Sequence, residues 1–278
     1  MLKQRIVTAC LIVALFLCSL FLLPTIGFTV FVTLSVLIGA WEWSNLSGFE
    51  KKPPRILYCF FTLLLMVIIG IYTHVLDLAS IDEEAIRRIL LLAGTWWAIA
   101  LLWVQSYPTS SALWGHSWVR AVMGWLVLLP SWLALIYLYQ ANQGPWLILL
   151  VVSIVIAADT GAYFFGRAFG RRKLAVDVSP GKSWEGFFGG VFCCLLLGAI
   201  LAWQTNSENW LTVLLVIMPT ALVSVLGDLF ESMMKRHRGI KDSGTLLPGH
   251  GGVLDRLDSL TAAAPVFALA IVLTGWTL

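Results

Sequence analysis

The sequence predicts an all-α polytopic membrane protein of about nine transmembrane helices with its N-terminus in the cytoplasm, and three observations carry that reading. First, 59% of the 278 residues are hydrophobic, only 12% are charged, and the mean hydropathy is +0.89. A chain with so little polar surface cannot form the outside of a water-soluble globule. Second, apolar runs near the ~20 residues that cross a hydrocarbon core recur at about 6–23, 26–43, 56–75, 89–105, 119–139, 145–166, 184–204, 210–234 and 260–277. Third, with the N-terminus inside, 16 of the 18 Lys and Arg residues fall in cytoplasmic segments, and only Arg87 and Arg88 fall outside. That is the positive-inside asymmetry, and an eight-span chain would scramble it.

The first span follows Lys3 and Arg5, as a signal peptide would, but its apolar run is long and lacks a small-x-small cleavage site. Pro24 then leads directly into more apolar sequence, so an uncleaved first helix is expected. The second span ends in AWEWSNLSG, where Glu42 reads as a residue at the membrane interface. The third, fourth and fifth spans are ordinary, and residues 1–144 are expected to be a region of plain transmembrane helices. All five cysteines (Cys10, Cys18, Cys59, Cys193, Cys194) lie within spans and read as small apolar packing residues.

Residues 145–278 are expected to be the catalytic region, because polar groups there enter the membrane itself. Asp159 lies in the sixth span, in AADTGAYFFGR, with Tyr163 and Arg167 following at helical spacing. In the eighth, Ser224, Asp228, Glu231, Ser232 and Lys235 recur every three or four residues and share one face. Each mid-helix carboxyl opposes insertion by about 2.5–3.5 kcal/mol, so partners or a function must offset them.

Two cytoplasmic loops, 167–183 and 235–259, face those acids. The first contains SPGKS, which invites comparison with a phosphate-binding P-loop, but that motif's first glycine would fall at Val176, and no strand is expected before it. A P-loop nucleotidase is excluded; Lys182 and the backbone N–H groups opening the seventh span remain able to meet a phosphate. Within the second loop, KDSGTLLPGHGGVLDRLDS places four glycines, a histidine and three aspartates in 19 residues. Gly249, Gly251 and Gly252 let the chain fold closely around a ligand. Asp255 and Asp258, at i and i+3, can direct two carboxylates to one point, and such hard oxygens suit Mg²⁺.

Ser232 to Ser259 reads S-x-x-K-R, four residues, K-D-x-G and then H-G-G-x-x-D-R-x-D. It resembles the signature of the bacterial phosphatidate cytidylyltransferases, the CDP-diacylglycerol synthases. Ser232, Lys235, Arg236, Lys241, Asp242, Gly244, His250, Gly251, Gly252, Asp255, Arg256 and Asp258 all match. ADTGAYFFGR and SPGKSWEGFFGG are similar to the family's upstream segments, so the resemblance covers about 150–278. It implies Mg²⁺-dependent transfer of CMP from CTP to phosphatidic acid, giving CDP-diacylglycerol and pyrophosphate at the cytoplasmic face of the inner membrane. On that basis Asp228, Asp255 and Asp258 are expected to be Mg²⁺ ligands, with Asp159 a further candidate. Lys182, Lys235, Arg236, Lys241 and Arg256 are expected to hold the phosphates. Ser183, Asp242, His250, Gly251 and Gly252 are expected to orient the substrates. The lipid's acyl chains would stay among helices while its headgroup reaches a polar funnel. Nucleic acid is not an expected partner, and a homodimer is compatible with the sequence. A cation- or proton-coupled transporter would also bury Asp159, Asp228 and Glu231. It would not need a loop rich in glycine and lysine on one side, and the sequence has no internal repeat.

Overall fold

Pro24 interrupts the first long apolar stretch and, having no N–H to extend a helix, separates α1 (Leu2–Phe21) from α2 (Thr25–Leu46). The computed structural model describes residues 2–77, 80–204 and 210–276. The chain continues through α3 (Lys52–Tyr72), α4 (Glu83–Gln105), the short α5 (Ser111–Trp114), α6 (Ser117–Gln140) and α7 (Gly144–Phe169). A hairpin of β1 (Lys173–Ala175) and β2 (Ser179–Ser183) follows, and then α8 (Trp184–Gln204), α9 (Trp210–Arg238) and α10 (Leu254–Thr274). Among the described residues, α2, α3, α4, α6, α7, α8, α9 and α10 are long and apolar enough to cross a membrane. The described side chains of α1, from Arg5 to Phe21, form a shorter apolar helix. The chain is therefore a polytopic, all-α integral membrane protein. The outer loop expected between the seventh and eighth spans includes 205–209, outside the described residues, as is the Lys3 side chain.

Hydrophobicity around the bundle follows exposure to lipid. Leu22, Leu92, Trp118 and Trp203 are exposed, whereas Trp43, Trp132, Phe230 and Phe267 are fully buried where helices meet. α6 occupies the centre, packing on α2, α3, α4, α7 and α10. Two aromatic groups buried against it find acceptors on its backbone: Trp43 Nε1 donates to the Arg120 carbonyl at 2.8 Å, and Tyr58 Oη donates to that of Ala121 at 2.9 Å.

Small residues set the closest helix approach. Ala158, Ala162 and Gly166 line one stripe of α7, and Gly186 and Gly190 face them from α8, the small-xxx-small pattern of membrane helix pairs. A methyl added at Gly190 would lie 2.6 Å from the Ala158 carbonyl oxygen, and one at Gly186 would lie 2.7 Å from that of Ala162. Gly227 does the same between α9 and α10, where a methyl would lie 2.6 Å from the Asp258 carbonyl oxygen. Both crossings fall beside acidic residues, so the backbones are closest where the polar groups gather.

Two expectations are corrected here. No strand was expected between the sixth and seventh spans, yet β1 and β2 pair antiparallel, Lys173 with Ser183 and Ala175 with Ser179. GKS therefore lies on β2 itself and runs straight into α8, which is not the strand-loop-helix of a P-loop. The last helix was expected from about residue 260 and begins at Leu254. Its first turns carry Asp255 and Asp258 on the inward side, which hydropathy alone scores as loop.

Candidate active site

The acids of α7, α9 and α10 meet the basic residues of the hairpin and of the α9 end in a continuous polar band. Lys182 on β2 reaches α9 and pairs with Asp228 at 2.6 Å. Ser232, one turn on, donates to Asp228 Oδ1 at 3.3 Å. A further turn on, Lys235 pairs with Asp255 at 2.7 Å and stands 3.5 Å from Glu231. The face anticipated on this helix is real, because these i, i+4 neighbours interact. Asp258 on α10 lies among Asp228, Glu231 and Lys235.

A cavity of about 430 Å³ opens on this band, lined by Asp159, Tyr163 and Arg167 of α7, Lys182 and Ser183 of β2, and Asp228 of α9. Arg167 donates to the Tyr163 hydroxyl at 3.1 Å. Ser183 caps α8, its Oγ accepting from Gly186 N at 3.2 Å. Glu185 accepts from the N–H groups of Arg171 and Arg172 at 3.0 and 3.2 Å, which fixes the start of the hairpin. Arg236 donates from Nε to the Val178 carbonyl at 3.2 Å and so fastens the hairpin to the end of α9.

The glycine-rich loop is held by two carboxylates. Asp255 accepts from Ser243 N at 3.0 Å and from Gly252 N at 2.8 Å, in addition to Lys235. Glu42, from α2 and only 3% exposed, accepts from Ser243 Oγ at 3.1 Å, Val253 N at 3.0 Å and Leu254 N at 2.7 Å. An anion that takes up the free N–H groups opening α10 also meets the positive end of the helix dipole. Side chains at Gly244 and Gly252 would strike the Glu42 carboxylate, and one at Gly251, where φ is +83°, would meet Asp255 Oδ2 at 2.8 Å. These glycines serve the chain's own carboxylates. Sequence reasoning left Glu42 at the interface because its partners are more than 200 residues away.

Of the other anticipated residues, Arg256 donates to the His250 carbonyl at 3.0 Å. Lys241 and Asp242 are exposed, and Lys241 has no ion pair among the described residues. Asp255 and Asp258 both approach Lys235 and Glu231 of α9, and Asp255 also reaches the loop at Ser243 N and Gly252 N. Among the described residues no three His, Cys, Asp or Glu side chains form a ready-made metal centre. One observation fits a cation in this region nonetheless. The buried Glu231 carboxylate stands against those of Asp258 and Asp255, three acids with the single ammonium of Lys235, 3.5 Å from Glu231, among them.

Comparison with known proteins gives the chain's family. A family model described as cytidylyltransferase family matches residues 3–274. A phosphatidate cytidylyltransferase of Pseudomonas aeruginosa is 46% identical over 99% of both chains, and one of Haemophilus influenzae is 40% identical over 96% of this chain and 98% of its own. The Staphylococcus epidermidis protein of that name is 43% identical over 50% of this chain and 54% of its own. With a match that spans nearly every helix and includes both carboxylate-held segments, the chain belongs to the cytidylyltransferase family.

Proposed function

We propose that this protein is a phosphatidate cytidylyltransferase, transferring CMP from CTP to phosphatidic acid. The observation that carries this reading is the cavity in which Lys182 and Arg167 stand beside Asp159 of α7 and Asp228 of α9. Cations and carboxylates gathered around one cavity suit a reaction between two polyanions. A lipid phosphate oxygen attacks the α-phosphorus of CTP; the bond from that phosphorus to the bridging oxygen of the β-phosphate breaks, and pyrophosphate leaves with the electron pair. The nucleophile is already anionic, since a phosphomonoester's second pKa is about 6, so no protein base is required.

The residues' task is to bring anions together and stabilise charge on the equatorial oxygens. Lys182, Lys235, Arg236, Lys241 and Arg256 are assigned to the phosphates, and Ser183 and the Asp255-held loop of Asp242, His250, Gly251 and Gly252 to their positioning. Asp228 and Asp258, with Glu231, have the hard-oxygen chemistry to hold Mg²⁺, which when bound would neutralise phosphate charge. Asp255, expected from the sequence to join them as a ligand, also clamps the loop through Ser243 N and Gly252 N. The Lys and Arg asymmetry supports placing the site at the cytoplasmic face of an inner membrane.

The direct test is purified protein with CTP and phosphatidic acid, with and without Mg²⁺. Equal yields of pyrophosphate and CDP-diacylglycerol, dependent on the ion, are expected; absence of nucleotidyl transfer under all conditions would overturn the reading.

A further inference from the structure

A second and larger cavity, about 730 Å³, lies on the other side of the β hairpin, between α4, α9, α10 and the start of α8. Its wall is hydrocarbon, with Gly94 and Ala98 from α4, Pro219 and Leu222 from α9, and Val266 and Leu269 from α10. The polar exceptions, Gln105, Tyr107 and Asp177, belong to the end of α4 and to the hairpin. Along α4 the lining runs from Gly94 to Gln105 and along α9 from Pro219 to Leu229. At 1.5 Å per residue each is about 15 Å long, which is half of a ~30 Å hydrocarbon core and so the depth of one leaflet.

The two cavities share a wall. Leu174, Phe187 and Val225 line both. On α9, Asp228 faces the polar cavity while Val225 and Leu229 face the apolar one. The hairpin is divided likewise, with Lys182 on one side and Val176 and Val178 on the other. A phosphate site and a leaflet-deep apolar slot separated by three side chains match a single amphiphile. The volume lies within the 300–1,000 Å³ range of small-ligand sites.

We propose that this chamber receives one acyl chain of the phosphatidic acid acceptor, so that the lipid is drawn out of the bilayer on one side and its phosphate is set beside Lys182. The assignment rests on the proposed reaction for the identity of the lipid. Chain capture within the protein fixes the depth of the headgroup, which a chain left in fluid lipid would not do.

Two measurements test it. Ala98→Phe and Gly94→Leu each add bulk to the chamber, where a methyl at Gly94 would make ordinary contact with Leu269 at 3.7 Å. Each is expected to lower kcat/KM for dioleoyl phosphatidate at least about tenfold, while dihexanoyl phosphatidate stays within about twofold and the KM for CTP is unchanged. Equal losses with both acceptors, or no loss with either, would overturn the proposal. Independently of turnover, phosphatidate carrying a mid-chain diazirine should crosslink wild-type protein within residues 94–101 and 222–226, and Ala98→Phe should suppress that label. Crosslinks confined to outward residues such as Phe60 and Phe164 would refute the chamber. Wild type that crosslinks in the chamber yet transfers no CMP would refute the reaction and leave the acyl site standing.

Discussion

Glu42 shows how far a single carboxylate can reach. It accepts three hydrogen bonds from the loop that opens α10, and charged hydrogen bonds of this kind contribute roughly 1.5–3 kcal/mol each. Glu42→Gln keeps the shape but sets an amide N–H₂ against N–H and O–H donors. Turnover should fall at least about tenfold, and hydrogen exchange across 243–254 should accelerate while exchange in α6 does not; unchanged exchange would assign Glu42 no hold on the loop. Lys241 has no comparable tether. If it only attracted the anionic membrane surface it would contribute about 1 kcal/mol, screened by salt. As a phosphate ligand its loss is comparable to that of a transition-state contact, about 2.7–4 kcal/mol. Lys241→Gln is expected to reduce turnover at least about a hundredfold, and the deficit should persist at high ionic strength; a several-fold deficit that salt erases would move the phosphate clamp to Lys182, Lys235 or Arg256. Asp228→Asn should abolish transfer while the protein remains folded in detergent, and near-normal turnover at ordinary Mg²⁺ would remove Asp228 from the site.

At the scale of elements, the α7–α8 crossing is the most exacting feature. Gly190→Val forces β-branched bulk against the Ala158 carbonyl. Overpacking of this type costs about 1–3 kcal/mol, and here it also displaces Asp159, the next residue of α7. A lower detergent melting temperature together with reduced turnover is expected, while the same change at Gly181, where a methyl meets nothing within 4 Å, should leave the melting temperature unaltered. The sequence made the long helices legible because twenty apolar residues have few other fates, and the faces of α7 and α9 were legible from i, i+4 spacing. The hairpin was not: β1 has three residues, and β2 contains Pro180 and Gly181, both poor strand formers. The early start of α10 was hidden because Asp255 and Asp258 lower the local hydropathy although they face protein. The apolar chamber was hidden too, since side chains lining a slot have the same composition as side chains facing lipid.

For the whole molecule, the charge asymmetry predicts which water phase each end meets. Thr245 and Glu83 are both exposed and lie at opposite ends of the proposed topology. Thr245→Cys should react with a membrane-impermeant thiol reagent only from the cytoplasm, and Glu83→Cys only from the other side. Labelling of both from one side would overturn the orientation. Helices from both sides of residue 144 pack on one another. α6 lies before it and packs on α7 and α10 beyond it, and α2 supplies the anion that holds the C-terminal loop.

The Glu42 clamp also sets a timetable for biogenesis. Its partners, Ser243, Val253 and Leu254, follow it by 201 to 212 residues. At about 5–20 residues per second of synthesis, the carboxylate waits on the order of 10–40 s before its donors exist. Through that interval α2 must keep an unneutralised acid at the membrane surface, and the site closes only once the last helix begins to enter the membrane. A chain stalled within α9 has every preceding helix and none of the clamp, so catalytic competence waits until Ser243, Val253 and Leu254 have been made.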